Sequence, residues 1–158
     1  MMNLDPTSIL AKLLHANLHQ RLVSFAEKYS PEFPAEDVVT TWLNRFYCLD
    51  PNVLILVYLD DSFKITAHSF IEVQALGSHK VVLVHQLEYD KKGTDDFKDC
   101  IEYIDKLVVD IGAHCAVVVV SKNVKVYEKF GYGTARTFMT KANIALRGES
   151  EEDYEGVL

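Results

Sequence analysis

Between Val126 and Tyr132 the chain places Tyr127, Glu128 and Lys129 in succession, with Gly131 four residues beyond the tyrosine. A phenol both donates and accepts hydrogen bonds, so Tyr127 could pass a proton to a reacting atom or simply pack its ring on a sheet. A second stretch with chemical potential is Asp90-Lys91-Lys92-Gly93-Thr94-Asp95-Asp96, where two lysines and a glycine precede a pair of acids. Gly93 reads as a turn glycine there, and Asp95 and Asp96 as first-turn acids that complement a helix dipole. His15 and His19 lie four apart on a helical pattern, a spacing able to hold a metal. No acid or cysteine joins them in a ligand pattern, so no metal site is expected. His68, His79 and His85 are scattered through strands. The sequence contains no Gly-rich nucleotide loop, nucleophilic serine motif or paired-carboxylate hydrolase pattern.

These groups need a scaffold, and 158 residues suffice for one domain with a sizeable core. The composition, 49% hydrophobic and 25% charged, is that of an ordinary globular protein. A formal charge of -7 argues against a nucleic-acid phosphate track, which needs clustered Lys and Arg, and is compatible with a cationic amine or basic peptide. Cys48, Cys100 and Cys115 form no C-x-x-C pair and are expected to be buried thiols in a reducing compartment, hence a cytoplasmic location. No apolar run approaches the roughly 20 residues of a membrane span, and the N-terminus lacks a signal-peptide pattern. The acidic segment 147–158 carries no core residues and is expected to be disordered, leaving a single domain over 1–146.

Hydrophobic period supplies the elements. Asp5 and Pro6 predict a capped helix with Ile9, Leu10, Leu13, Leu14, Leu18, Leu22 and Phe25 on its apolar side. Ser30–Pro34 breaks it, and Val38, Val39, Trp42, Leu43 and Phe46 stripe a second helix. Strands are predicted over Val53–Leu59, Lys64–Gln74 (with Ile65, Ala67, Ser69, Ile71 and Val73 on one face) and Val81–Tyr89, joined by short turns as an antiparallel meander. Phe97, Ile101, Ile104, Leu107, Val108 and Ile111 line a third helix that Thr94 could cap and Gly112 stops. Ala116–Val120 is a β-branched run suited to a buried strand. Helix 122–130 and a closing strand over 134–143 complete the order α-α-β-β-β-α-β-α-β, an α/β mixed sheet with helices on both faces, and the β-α-β step makes two strands parallel.

Within this order the Tyr127–Tyr132 wording, followed by Thr137-Phe138-Met139-Thr140-Lys141, resembles the Y-x-K-x-G-[FY] signature of the GNAT N-acetyltransferase superfamily. The resemblance covers about Thr7 to Ala142. It implies acetyl-CoA as cofactor and a small-molecule or protein amine as acceptor, with no nucleic acid or membrane partner; a homo-oligomer or protein partner is open. Tyr127 would be the acid that protonates the departing thiolate. Glu88 would be the base, with Glu72, His68 and His85 as further candidates. Leu87 and Tyr89 would face the cofactor from a splayed strand, and Lys92, Gly93, Thr94 and Asn123 would bind its phosphate end.

The sequence also departs from the family. The usual [QR]-x-x-G-x-[GA] loop, whose backbone N–H groups cradle pyrophosphate, corresponds to Asp90–Asp95, where only Gly93 matches. An N-terminal strand is not expected, because the chain reads as starting in helix. Val120 stands where an Asn is common, seven residues before the tyrosine. Degenerate forms of this kind resemble small GNAT-like proteins of tailed bacteriophages. The alternative function is therefore a catalytically silent binding or structural module with the same fold.

Overall fold

The computed structural model describes residues 1–90, 95–119 and 124–134. Among them the order is β1 (Met2–Asn3), α1 (Ile9–Tyr29), α2 (Ala35–Tyr47), β2 (Val53–Leu59), β3 (Ile65–Leu76), β4 (His79–Tyr89), α3 (Asp96–Asp110), β5 (Cys115–Val118) and α4 (Val124–Glu128). The five strands form one mixed sheet in spatial order β1-β2-β3-β4-β5, antiparallel throughout except for the parallel β4–β5 pair. The mixed α/β architecture expected from the sequence is therefore present. The closing strand expected over 134–143 and the segment 147–158 lie outside the described residues, apart from Thr134.

Helices cover both faces. On one, Leu14, Leu18 and Leu22 of α1 and Val39, Leu43 and Phe46 of α2 pack on Ile55, Val57 and Phe70. On the other, Phe97, Cys100, Ile101 and Ile104 of α3 pack on Leu56, Ile71, Val82 and Val84. Each such side chain, taken fully out of water, stabilises the fold by about 1.5–3 kcal/mol. Trp42 of α2 adds a stacked ring over Phe70, with centroids 4.3 Å apart and planes 15° from parallel.

Three local expectations are corrected. The chain does not begin in helix: Met2 pairs with Val57 and Asn3 with Leu56, and the Leu4 N–H donates to the Ile55 carbonyl at 2.9 Å. Two residues carry no readable period, but the free edge of β2 accepts their backbone and Leu4 is buried beneath. The cap of α1 is Ser8, whose side chain accepts from the Ala11 N–H at 3.1 Å. Asp5 instead shapes the preceding turn by accepting from the N–H and hydroxyl of Thr7. Of the three thiols only Cys100 is buried; Cys115 is half-buried, and Cys48, at the C-cap of α2, is exposed.

Two β-bulges decide which side chains face which helices. Tyr58 pairs with Ala67 but Leu59 with Ile65, so Thr66 is the extra residue. Ile65 consequently joins the α1–α2 core while Ile71 joins the α3 core, and the single face predicted for Ile65 to Val73 is divided. In β4, Phe70 pairs with Gln86 but Ile71 with Val84, which makes His85 the extra residue.

Candidate active site

The bulge at His85 directly follows the last β4 residue paired with β5. The β4–β5 ladder matches Val81–Val84 with Cys115–Val118, and the Val119 N–H reaches the Val84 carbonyl at 3.1 Å. Beyond that point β4 continues to Tyr89 paired with β3, with no β5 partner among the described residues. Backbone direction alternates along a strand. Val84 addresses β5, whereas the Asp90 N–H donates to Thr66 on the β3 side at 2.9 Å. Between them the bulge reverses the parity, so Leu87 and Tyr89, not Gln86 and Glu88, direct their backbone groups away from β3. These are the two strand residues singled out in the sequence for a cofactor-facing role.

Side chains follow the same parity. Leu87 and Tyr89 lie on the α3 face, and Gln86 and Glu88 on the α1 face. Glu88 accepts from Arg21 Nη2 at 3.0 Å, while Arg21 Nη1 donates to both oxygens of Asp90 at 2.9 and 3.1 Å and to the Ile65 carbonyl at 3.1 Å. The Arg21 Nε–H donates to His68 Nδ1 at 3.2 Å, which requires a lone pair there. His68 therefore carries its proton on Nε2 and donates to Gln86 Oε1 at 2.9 Å; Gln86 Nε2 in turn donates to the Leu22 carbonyl at 3.0 Å. Sequence reasoning missed Arg21 and Gln86. Their signal was an arginine flanking the Leu14–Leu18–Leu22 stripe and an amide at an otherwise apolar strand position.

The candidate bases separate by environment. Burial raises the Glu88 carboxyl above its ordinary pKa, only partly countered by Arg21, and Asp90 adds to the rise. Glu72 is buried too, but Arg45, His85 and Gln74 all hydrogen-bond it and together hold its pKa below the usual value. His85 is occupied by that contact and packs against Trp42 and Phe70. His68 is fully buried, and desolvation lowers its pKa to about 4.

That last shift has a measurable consequence. A histidine at about 6.5 in the unfolded chain and about 4 in the folded one leaves the unfolded state with more bound protons between those values. Its contribution is complete above about pH 6.5 and is lost as pH falls toward 4, by roughly 3 kcal/mol in all. Glu88, with a raised pKa, acts in the opposite sense. Urea unfolding at pH 7 and 4.5 should show the His68→Gln variant with a clearly smaller loss than the native chain; equal losses would refute the assignment.

On the α3 face, Tyr127 of α4 meets the ring of Phe97 edge-on at 5.2 Å and that of Tyr132 at 5.8 Å. Phe97, in the first turn of α3, also contacts Tyr89 at 5.6 Å and Phe130 at 5.4 Å. Burial pushes the Tyr127 phenol far above its ordinary pKa, so the group is protonated throughout the physiological range. Tyr132 is pushed up to about 12 by the same cause, and its hydroxyl is buried without a partner among the described residues.

Asp95 occupies the N-cap position of α3 but makes no side-chain cap bond, and Asp96 and Asp99 follow in the first turn. Asp99 accepts from the Tyr58 hydroxyl. Lys92, Gly93, Thr94 and Asn123 lie outside the described residues. On α1, His15 contacts the Tyr47 hydroxyl at 2.8 Å and His19 meets Glu36 at 3.1 Å. Among the described residues no group of three or more His, Cys, Asp and Glu is arranged to hold a metal, and no helix is long and apolar enough to cross a membrane.

No protein-family model matches the chain, and comparison with curated proteins finds no match. Solved structures do resemble it. A predicted acetyltransferase from Clostridium acetobutylicum, crystallised with acetyl-CoA, aligns over 92% of this chain and 96% of its own with a TM-score of 0.67 at 14% identity. A Trypanosoma brucei acetyltransferase aligns over 89% and 96% with a TM-score of 0.64 at 13% identity. Glucosamine-6-phosphate N-acetyltransferase from Arabidopsis thaliana aligns over 80% and 93% with a TM-score of 0.61 at 15% identity. At these identities the likeness is one of fold.

Proposed function

We propose that this chain, which has the fold of the GNAT acetyltransferases, transfers an acetyl group from acetyl-CoA to a primary amine. The observation that carries the reading is that, among the described residues, the β4–β5 ladder ends at Val84 and Val118 while β4 runs on to Tyr89. Glu88 sits on the α1 face and Tyr127 on the α3 face. In a continuous sheet a base and an acid so placed could not serve one reacting centre. At an edge of β4 left unpaired on the side away from β3, they can. The same edge offers the Leu87 and Tyr89 backbone groups to an extended, amide-bearing chain such as the pantetheine of coenzyme A.

In this reading Glu88, its pKa raised, removes a proton from the acceptor ammonium. The free amine attacks the thioester carbonyl, and the Leu87 N–H steadies the oxyanion. The carbon–sulfur bond breaks as Tyr127 donates its proton to the leaving sulfur, and the second proton, shed by the nitrogen as the amide forms, returns through solvent to the Tyr127 phenolate. The net charge of -7 favours approach of a cationic acceptor. The residues fit the two ends of acetyl-CoA unequally: the strand edge suits pantetheine, while the carboxylates of Asp95 and Asp96 disfavour pyrophosphate.

Thermal unfolding tests cofactor binding directly. Acetyl-CoA at 100 times its dissociation constant adds about 2.7 kcal/mol if it binds only the folded state, a rise of roughly 5–10 °C for a domain of this size. Mass spectrometry of an amine panel then reads transfer. A second reading, a silent module of the same fold, draws support from the two acids at the start of α3; no thermal shift at millimolar acetyl-CoA would establish it over the first.

A further inference from the structure

We propose that Arg21 is a positioning residue for this reaction, holding the Glu88 carboxylate near the C-terminal end of β4 and keeping Asp90 out of competition with it. The inference rests on the acetyl-transfer reading above. One guanidinium treats two neighbouring acids unequally. Asp90 has both carboxylate oxygens on Arg21 Nη1, at 2.9 and 3.1 Å. Glu88 gives Arg21 a single oxygen, Oε1, at 3.0 Å. Its second oxygen has no partner among the described residues and is the one left to take a proton.

Arg21 can impose this difference because its planar fork is fixed along every edge. Nη1 also bonds the Ile65 carbonyl, and Nε bonds His68, which Gln86 and the Leu22 carbonyl hold in turn. The side chain is only 12% exposed, against 31% for Glu88 and 42% for Asp90, so the donor is the rigid partner and the acids adapt to it. The groups facing Glu88 are Arg21 and Lys28 from α1, His68 from β3 and Asp90 at the end of β4. A lysine at position 21 would supply the charge without spanning both acids and the histidine.

The test compares Arg21→Gln and Arg21→Lys, each alone and combined with Glu88→Gln. Readouts are the pH profile of kcat/KM and a carbon-13 NMR titration of the Glu88 carboxyl. Arg21→Gln should move the acidic limb and the Glu88 titration to higher pH and lower kcat/KM at neutral pH by roughly tenfold or more, with KM for acetyl-CoA unchanged. Arg21→Lys, which keeps the charge should Arg21→Gln fail to fold, should return the limb toward its native position while recovering only part of kcat. With Glu88→Gln present, neither change should matter further. Equal losses in both backgrounds with an unmoved limb would reduce Arg21 to a structural role and overturn the proposal. No transfer by the native protein, alongside a Glu88 titration that still follows Arg21, would instead overturn the assigned activity.

Discussion

Tyr127→Phe is expected to lower kcat about a hundredfold and to leave the affinity for acetyl-CoA and the melting temperature nearly unchanged. General-acid catalysis contributes about 10²–10⁴-fold, and the environment of Tyr127 selects the lower end. A phenol driven far above its ordinary pKa by burial is reliably protonated but a weak donor to a thiolate of pKa near 8.5. Phenylalanine retains the edge-on contacts with Phe97 and Tyr132, at 5.2 and 5.8 Å, so the ring's packing survives. Stopped-flow measurement of thiol release, paired with a melting curve, separates the two effects. An unaltered kcat would remove the acid role, and a collapse of the melting temperature would show that the hydroxyl is structural. The high pKa also excludes Tyr127 as the source of any basic limb below pH 10 in the native rate profile.

The scaffold that sets Tyr127 against Phe97 was legible in the sequence because it rests on period. Leu14, Leu18 and Leu22 in α1, and Phe97, Ile101 and Ile104 in α3, recur at helical spacing and are buried as that spacing requires. The turns at Asp60–Ser62 and Gly77–Ser78 bound the strands closely, and Gly77 adopts the positive φ of 60° that such a turn favours. The bulges were not legible. A residue inserted opposite one partner leaves no compositional trace, and its effect is a reversal of parity that only the partner strand reveals. For that reason Ile65 and Ile71 were placed on one face.

The Arg21 network was hidden for a different cause. Arg21 lies 67 residues from Glu88 and 69 from Asp90, and no local spacing encodes a pairing over that distance. The acids themselves were visible, and Glu72 and Glu88 look alike in sequence, as acids on apolar strands. Their partners separate them: Arg45, His85 and Gln74 hold Glu72 ionised, whereas one bond from Arg21 leaves Glu88 with its pKa raised. Choosing between two carboxylates thus depends on desolvation and charge in three dimensions.

Asp95→Gly combined with Asp96→Ala should tighten acetyl-CoA binding by about tenfold to a hundredfold. Two carboxylates near a pyrophosphate oppose it by about 1–4 kcal/mol per close pair in the polar environment of a helix terminus. Removing them also restores to α3 the unpartnered N–H groups and positive dipole end that anions use. The cost to the fold is small, because Asp95 makes no side-chain cap bond and has backbone angles of -75° and 0° that glycine adopts freely. What is lost is the dipole term, about 0.3–1 kcal/mol per acid. Calorimetric titration at low and high salt reads the outcome: the variant's advantage should shrink as salt screens the carboxylates of the native chain. Weaker binding by the double variant would mean that Asp95 and Asp96 contact the ligand favourably, and the account of this terminus as an acid-filled anion site would fall.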